Sequence, residues 1–404
     1  MAKRVLIYTN HFYPEQFKIN EIVEWISEKE CHIRVVTCIP NYPGGKYFNG
    51  YSLLKSPNSP YNSQVTINRL PLIPRGNAKP LILTLNYLSY FLSCILFTIY
   101  LAIFKKKYDT IFVHHTSPIL ISISPIIYGF FHKSYKCIWD LDIWPETLES
   151  MNVIKIKFFN TLIKKFVSLI YDKYNTILVS SHGIKTLLES RTKSNVILFP
   201  NWADKRIEKN KIYESLELGL PNGKFIIMYT GNIGKAQNFD AIIKVVEILK
   251  HEEILWTFVG AGRYKTKFIQ NINKLGLDRK CIFYDQVDVS QVPSFAEQAN
   301  AMLVSLDSKG IFNKTIPAKL QSYMALGKPV IGFISGDGAE IIKKAKCGIY
   351  EENNDYIGLA KKIKIFYKKN QNELIQMGQN GKTFYFKNFS GTIRKNEILN
   401  LLKF

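Results

Sequence analysis

Negative charge is what this sequence has least of: 32 Asp and Glu stand against 54 Lys and Arg, a formal net charge of +22. A chain so basic points to an anionic partner, whether nucleic acid, anionic lipid or a phosphate-bearing substrate. Cysteine is sparse and scattered. None of Cys31, Cys38, Cys94, Cys137, Cys281 and Cys347 forms a C-x-x-C pair or has the paired histidines of a zinc site. A zinc fold is therefore excluded, and reduced core thiols of a cytosolic protein are expected. No cleavable signal pattern is present, because Met1-Ala2-Lys3-Arg4 runs straight into the strand-like Val5–Thr9. The phosphate loop G-x-x-x-x-G-K-[ST] is missing, and the first strand is not followed by G-x-G-x-x-G. Walker-type NTPases and NAD-dependent oxidoreductases are thereby disfavoured. The basic residues spread along the whole chain instead of gathering in a recognisable module, so nucleic acid is not expected as a partner.

What is present suits a globular enzyme. The 404 residues, 47% apolar and 13% aromatic, fill ordinary cores and exceed what one core usually supports, so two domains are expected. Strand and helix patterns alternate almost throughout, which predicts parallel sheets covered by helices on both faces. Strands are expected at Val5–Thr9, Ile33–Cys38, Thr66–Leu70, Thr110–Val113, Lys136–Asp140 and Thr176–Ser180, with helices near Ile19–Lys29, Ile119–Phe131 and Ile156–Tyr174. Phe199-Pro200-Asn201-Trp202-Ala203-Asp204 and the charged stretch Lys205–Glu214 read as an inter-domain linker. The pattern then restarts with strands at Phe225–Tyr229, Leu255–Val259, Cys281–Tyr284, Ala301–Leu306 and Pro329–Phe333, and helices at Asp240–Lys250, Tyr264–Leu275, Pro317–Leu326 and Tyr356–Lys368. Two open α/β domains in tandem would bind ligands at the carboxyl ends of their strands.

One run breaks the pattern. Leu81–Phe104 carries no charge and is followed by Lys105, Lys106 and Lys107. Its length and apolarity suffice for a transmembrane helix. Yet Asn86, Ser89, Ser93 and Thr98 form a mildly polar stripe at helical spacing, and a strand pattern follows at once. The favoured reading is a helix of the first domain that dips one face into the bilayer. The helix bearing Lys155, Lys157, Lys164 and Lys165 with Phe158, Phe159 and Phe166 would extend the same face; the alternative is an ordinary amphipathic core helix.

Three elements in the second half suit an anion site. Phe225–Tyr229 runs into Thr230-Gly231-Asn232-Ile233-Gly234-Lys235-Ala236-Gln237, where two glycines let the backbone turn and approach a ligand closely. Free N–H groups at the next helix start favour a diphosphate, and Lys235 adds a mobile charge. Leu255–Val259 ends in a second glycine turn, Gly260-Ala261-Gly262-Arg263. Either turn alone also fits an ordinary strand–helix connection; two in successive units converge on one sheet edge. The third element runs from Asn313 through Lys314, Pro317, Lys319 and Ser322 to Gly327-Lys328-Pro329. Pro317 suits the first helical turn and Gly327 the stop. Lys314 and Lys319 flank a helix start, where the dipole is already positive, so helix stability does not explain them. They suit an incoming diphosphate or else are solvated.

In the first half, polar residues close three strands: Asn10-His11-Phe12-Tyr13-Pro14-Glu15, His114-His115, and Asp140-Leu141-Asp142-Ile143-Trp144-Pro145-Glu146. Imidazoles and carboxylates gathered there suit proton transfer and sugar-hydroxyl recognition, or else local structure.

At these residues the chain resembles the retaining glycosyltransferases of family 4, in the branch that builds capsule, O-antigen and colanic-acid-type polysaccharides. Seven segments carry the likeness in order along nearly the whole chain: 11–15, Pro40-Asn41-Tyr42-Pro43-Gly44-Gly45, 142–146, 200–204, 231–237, Val259-Gly260-Ala261-Gly262, and 317–329. The resemblance implies a GT-B fold, two Rossmann-like domains facing across a cleft: an acceptor-binding domain at 1–204 and a nucleotide-sugar-binding domain at 205–387. The helix at about 388–404 would return to the first domain.

It further implies a nucleotide-sugar donor, UDP- or GDP-linked, a polyprenyl-diphosphate-linked saccharide acceptor, retained configuration and no obligatory metal or other cofactor. Work would be done on the inner face of the cell membrane, against an anionic surface. Carried over, His11, His115 and Lys319 are catalytic. Gly231, Asn232, Gly234, Lys235, Gln237, Gly260, Gly262, Arg263, Lys314, Pro317, Ser322 and Glu340 bind the donor. Tyr13, Gly44, Gly45, Asp142 and Trp144 bind the acceptor. The sequence departs from the family where two glutamates eight positions apart become Lys314 and Ser322, with Glu340 the candidate substitute. The usual Arg/Lys phosphate pair is here Asn232 with Lys235 or Gln237. That pattern resembles fucosyl- and N-acetylfucosaminyl-type enzymes. A nucleotide-sugar 2-epimerase shares the architecture but has no use for a lysine-flanked apolar helix.

Overall fold

The structure is a computed structural model that describes residues 2–53, 55–77, 79–150, 157–209, 218–221 and 223–404. It divides into two compact units: residues 1–180, 184–199 and 395–404 in the first, and 181–183 with 200–394 in the second.

Each unit is built on one all-parallel sheet. In the first, β1 (Lys3–Thr9), β2 (Cys31–Cys38), β3 (Val65–Leu70), β4 (Thr110–His115), β5 (Tyr135–Asp140), β6 (Thr176–Val179) and β7 (Asn195–Leu198) lie in the order β3-β2-β1-β4-β5-β6-β7. The second holds β8 (Phe225–Thr230), β9 (Ile254–Val259), β10 (Cys281–Tyr284), β11 (Ala301–Ser305), β12 (Val330–Phe333) and β13 (Gly348–Glu351), in the order β10-β9-β8-β11-β12-β13. Both orders are Rossmann-like. The chain direction across each sheet reverses beside its first strand, leaving a switch point between β1 and β4 and another between β8 and β11. The central strands are buried on both faces, as Val5–Thr9, Thr110–His115 and Ile254–Val259 show, so their sequences read as apolar runs and not as alternations. The second core is strongly aromatic: Phe268 stacks on Phe239 and meets Phe258 edge-on, both at 4.7 Å between centroids.

Several elements differ from the reading of the sequence. The edge strands β7 and β13, four residues each, are absent from that reading. The helix Gln371–Asn388 is absent from that reading because its residues are mostly polar and include Gly378 and Gly381. Those glycines are packing features: a Cβ on Gly378 would sit 2.0 Å from the Gly327 carbonyl oxygen. The expected helix Ile119–Phe131 divides into a 3₁₀ turn at Ile119–Ile123 and an α-helix at Ser124–Phe131, with Pro125 in its first turn. Pro317 is the extended residue that precedes the helix Ala318–Leu326, not part of it. Of the basic aromatic helix, the described part is Lys157–Tyr171; Lys155, Ile156 and the 210–214 portion of the charged linker lie outside the described residues.

The apolar helix, Pro80–Phe104, is turned the opposite way from a helix of a soluble core. Its polar residues face the protein. Thr98 shares a 2.8 Å hydrogen bond with the Tyr8 hydroxyl, Tyr90 donates to the Thr9 carbonyl at 2.8 Å, and Ser93 donates to the Pro71 carbonyl at 2.9 Å. Asn86, Tyr90 and Thr98 are buried. Leu81, Leu85, Leu88, Leu92, Leu96 and Ile103, spaced three, four or seven apart, are exposed. A second exposed apolar group sits beside its end: Phe130 and Phe131 close the helix whose next residue, His132, bonds the Ala102 carbonyl at 2.8 Å. Lys105, Lys106, Lys107 and Lys133 are exposed around them.

Candidate functional site

In the first unit, polar residues at the β1/β4 switch point are tied to one another. Asn10, directly after β1, donates from Nδ2 to the carbonyls of Thr116 and Ser117, both at 2.9 Å, fastening the ends of the two strands. His11 follows. Its Nδ1 lies 2.7 Å from Glu15 Oε2, its ring stacks on Phe17 at 4.5 Å, and Tyr42 leans over it at 5.0 Å. The loop from Asn41 to Gly45 is held by the other oxygen of Glu15. Gly45 has φ +74° and would place a Cβ 1.9 Å from the Gly76 oxygen, so only glycine fits; Gly44 is exposed with open space around it. Tyr13 is half-buried, its carbonyl accepting from Arg69 at 2.6 Å.

The other expected acceptor residues converge on one turn. Asp142 accepts from the Ser117 amide at 3.0 Å and Trp144 Nε1 donates to the Ser117 hydroxyl at 2.9 Å. His115 lies deeper. It is fully buried, pairs through Nδ1 with Asp140 at 2.7 Å, and Asp140 also accepts from Tyr171. The structure therefore brings His11 and Gly45, both buried, together with the exposed Gly44 at this strand end, and keeps His115 fully buried beneath it. The neighbouring His114, wholly buried, has its pKa pushed down to about 3 by desolvation and is neutral.

The second unit meets its switch point with glycine and cations. The N–H of Gly231 donates to the Val259 carbonyl at 2.8 Å and that of Ile233 to the Ala261 carbonyl at 2.8 Å, so the two glycine turns lie side by side. Side chains would separate them. Gly260 (φ +149°) and Gly262 (φ +157°) would put a Cβ 2.0 Å from the Gly231 oxygen and 2.2 Å from the Ile233 oxygen. Gly234 is enclosed by Asn232 and Gln237, and Gln237 Oε1 accepts from its N–H at 2.9 Å. Gln237 thus stabilises the turn with the oxygen a ligand would otherwise use.

Lys319 reaches the same turn from the helix Ala318–Leu326. Its ammonium lies 5.1 Å from the Tyr229 ring centre, and a Cβ on Gly231 would meet its Cε at 2.8 Å. Tyr323 on this helix fastens it there by accepting from the Thr230 amide at 2.9 Å. Desolvation lowers the Lys319 pKa to about 8, and no carboxylate offsets that burial among the described residues. Asn232, Lys235 and Arg263 are exposed around it. Lys314 is exposed one turn before the helix, its carbonyl accepting from Ser181. Ser322 turns its hydroxyl back to the Ala318 carbonyl at 3.3 Å. Glu340 is exposed in the first turn of the helix Asp337–Ala345, whose preceding Gly336 packs against Asn313.

Residues 213–384 match the family model described as glycosyl transferases group 1. Along most of its length the chain is similar to the probable glycosyltransferase WbjE of Pseudomonas aeruginosa, 22% identical over 72% of this chain and 73% of that one. It is similar also to the putative colanic acid biosynthesis glycosyl transferase WcaI of Escherichia coli, 24% identical over 80% and 81%. Among solved structures, Anabaena HepE in complex with UDP superposes with a TM-score of 0.69 over the whole of both chains; at 12% identity that likeness speaks to the fold alone. Two Rossmann-like units with such neighbours are the GT-B fold.

In the second unit, closely apposed glycine turns and a desolvated ammonium occupy one switch point, an arrangement suited to an anionic group. Ser117 and Tyr323 do much of the holding, as does Glu15 through Asn41, and these bonds escape a reading of the sequence because each partner lies 20 or more positions away.

Proposed function

We propose that this chain is a group 1 glycosyltransferase that moves a sugar, with retained configuration, from a UDP- or GDP-linked donor to a polyprenyl-diphosphate-linked saccharide during assembly of a bacterial surface polysaccharide. The donor would sit on residues 205–387 and the acceptor on residues 1–204. One observation carries the reading: the desolvated ammonium of Lys319, unmatched by any acid among the described residues, beside the bare backbone of Gly231. A buried cation is unfavourable unless something anionic arrives, and the diphosphate of a nucleotide sugar is that anion. That HepE, which shares the fold, is in complex with UDP supports a nucleotide as ligand. The name of WcaI, a putative colanic acid biosynthesis glycosyl transferase, supports the polysaccharide assignment. A fucose- or N-acetylfucosamine-type sugar is the proposed class.

The acceptor's lipid calls for a membrane, and the exposed leucine stripe of Pro80–Phe104 with Lys105–Lys107 at its end supports peripheral docking on an anionic inner leaflet. Spanning would instead strip the helix of its buried hydrogen bonds to Tyr8 and Thr9.

The test is a thermal-shift panel of UDP-, GDP-, dTDP- and ADP-sugars. At 100 times the dissociation constant, a true donor should stabilise the protein by about 2.7 kcal/mol. A response to one base identifies the donor set, and transfer from it is expected to continue in excess EDTA. Silence across the whole panel would end the transferase reading.

A further inference from the structure

Glu15 is the most heavily used carboxylate at the β1 end. Its side chain is 1% exposed, against 11% for His11. Oε1 accepts two backbone N–H bonds, from Asn41 at 2.8 Å and Tyr42 at 2.6 Å, while Oε2 meets His11 Nδ1 at 2.7 Å. The side chain is itself placed by its backbone: the Glu15 amide donates to the Phe12 carbonyl at 3.0 Å, and Asn20 donates to the Glu15 carbonyl at 2.8 Å. One buried carboxylate therefore joins two segments that approach each other only in the fold. These are the turn carrying His11 and the loop that ends in Gly44 and Gly45, where the Gly45 amide donates to the Asn41 carbonyl at 2.8 Å.

The bond to Nδ1 has a chemical consequence. An ionised carboxylate only accepts, so the imidazole proton must sit on Nδ1. The ring is held in plane by Phe17, stacked at 10° between planes, and Nε2 has no hydrogen-bond partner among the described residues. We propose that Glu15 is a positioning residue: it fixes His11 as the Nδ1–H tautomer, with Nε2 left as an acceptor for a sugar hydroxyl, and locks the Asn41–Gly45 loop to the same point. The hydroxyl would donate to Nε2 and be oriented by it, with no proton passing to Glu15. This rests on the reading of His11 as part of the acceptor end.

Glu15→Gln separates the two duties. The amide oxygen still accepts from Asn41 and Tyr42, but the amide nitrogen, a donor, now faces Nδ1 and drives the ring to the Nε2–H tautomer. Nitrogen-15 NMR of histidine-labelled protein reads this directly, at a pH well above the ordinary imidazole value of about 6.5, with the His11 signal assigned by its loss in His11→Gln. The wild-type ring should carry its proton on Nδ1 and the Gln variant on Nε2. Transfer should fall about 10- to 100-fold in kcat, as when a metal-bound histidine loses its outer carboxylate, with donor KM and melting temperature little changed.

A wild-type His11 protonated on Nε2 overturns the proposal, and that measurement stands even if the variant does not fold. A tautomer switch with undiminished kcat overturns it too. If the wild-type protein transfers no sugar at all, the functional reading fails, whereas the tautomer still decides what Glu15 does.

Discussion

The two sheets share a strand order and a switch point, yet the chemistry at the two points is opposite. At the β1/β4 end, side chains consume one another: Glu15 takes His11 and two amides, Asp140 takes His115 and Tyr171, and Ser117 takes Asp142 and Trp144. At the β8/β11 end, side chains are withdrawn. Glycine turns press together, and among the described residues no carboxylate offsets the burial of Lys319 beside them. On the proposed reading, the first arrangement is a frame that leaves one imidazole edge and a glycine loop for a neutral, hydroxyl-rich group, and the second is an electrostatic site that a diphosphate would complete. A shared fold thus sets where ligands bind, and the pairing or non-pairing of side chains sets what kind.

The sharpest way to break this contrast is Lys319→Ala. Transfer should fall by about 10²- to 10³-fold, the usual loss when one donor to a developing charge is removed. The unliganded protein should melt no lower, because a desolvated cation has been removed. Unchanged turnover in a donor assay would remove Lys319 from the charge-bearing site.

Next in size is the surface beside the frame. Replacing Lys105, Lys106 and Lys107 together by alanine should weaken binding to anionic vesicles by about 3 kcal/mol, at about 1 kcal/mol per cation. Undiminished cosedimentation would detach the leucine stripe from any membrane role.

Gly260→Ala tests the withdrawn side chains. A Cβ 2.0 Å from the Gly231 oxygen should cost about 1–3 kcal/mol of stability and abolish nucleotide stabilisation. A melting curve and nucleotide response like those of the parent would mean the turns are not as tightly apposed as described.

The smallest effect concerns pH. The Lys319 pKa is lowered in the fold from 10.5 to about 8, so between those values the unfolded chain binds more protons. Stability of the free protein should therefore gain a contribution as pH rises through that window. Nucleotide affinity should move the other way, weakening above about pH 8 as the ammonium is lost, with Lys319→Ala flat over the same range. Calorimetric titration of the nucleoside diphosphate against pH checks both; parallel profiles in the two proteins would deny Lys319 that charge.

How far the sequence disclosed all this depended on where the information lay. Buried parallel strands such as Phe225–Thr230, apolar in every position up to Thr230, read directly. The edge strands Asn195–Leu198 and Gly348–Glu351 are short and half-covered, and the polar helix Gln371–Asn388 looks like coil until Gly378 is seen against Gly327. The glycine turns were legible because φ above zero and backbone contact both demand glycine. Roles of partners were not: nothing near Ser322 in sequence says that its hydroxyl returns to its own helix, nor does Gln237 announce that it caps Gly234.

The inverted helix Pro80–Phe104 carries two messages in alternation around its axis. Substitutions at Tyr90 or Thr98, which hold it to β1, should register in a mutational scan as loss of folded protein. Substitutions at Leu81 or Leu96, which are 73% and 70% exposed, should leave the protein folded and change where in the cell it is found. A scan scored for abundance and a scan scored for location would thus give two periodic patterns along the same 25 residues, each with the helical repeat and offset from the other by about half a turn.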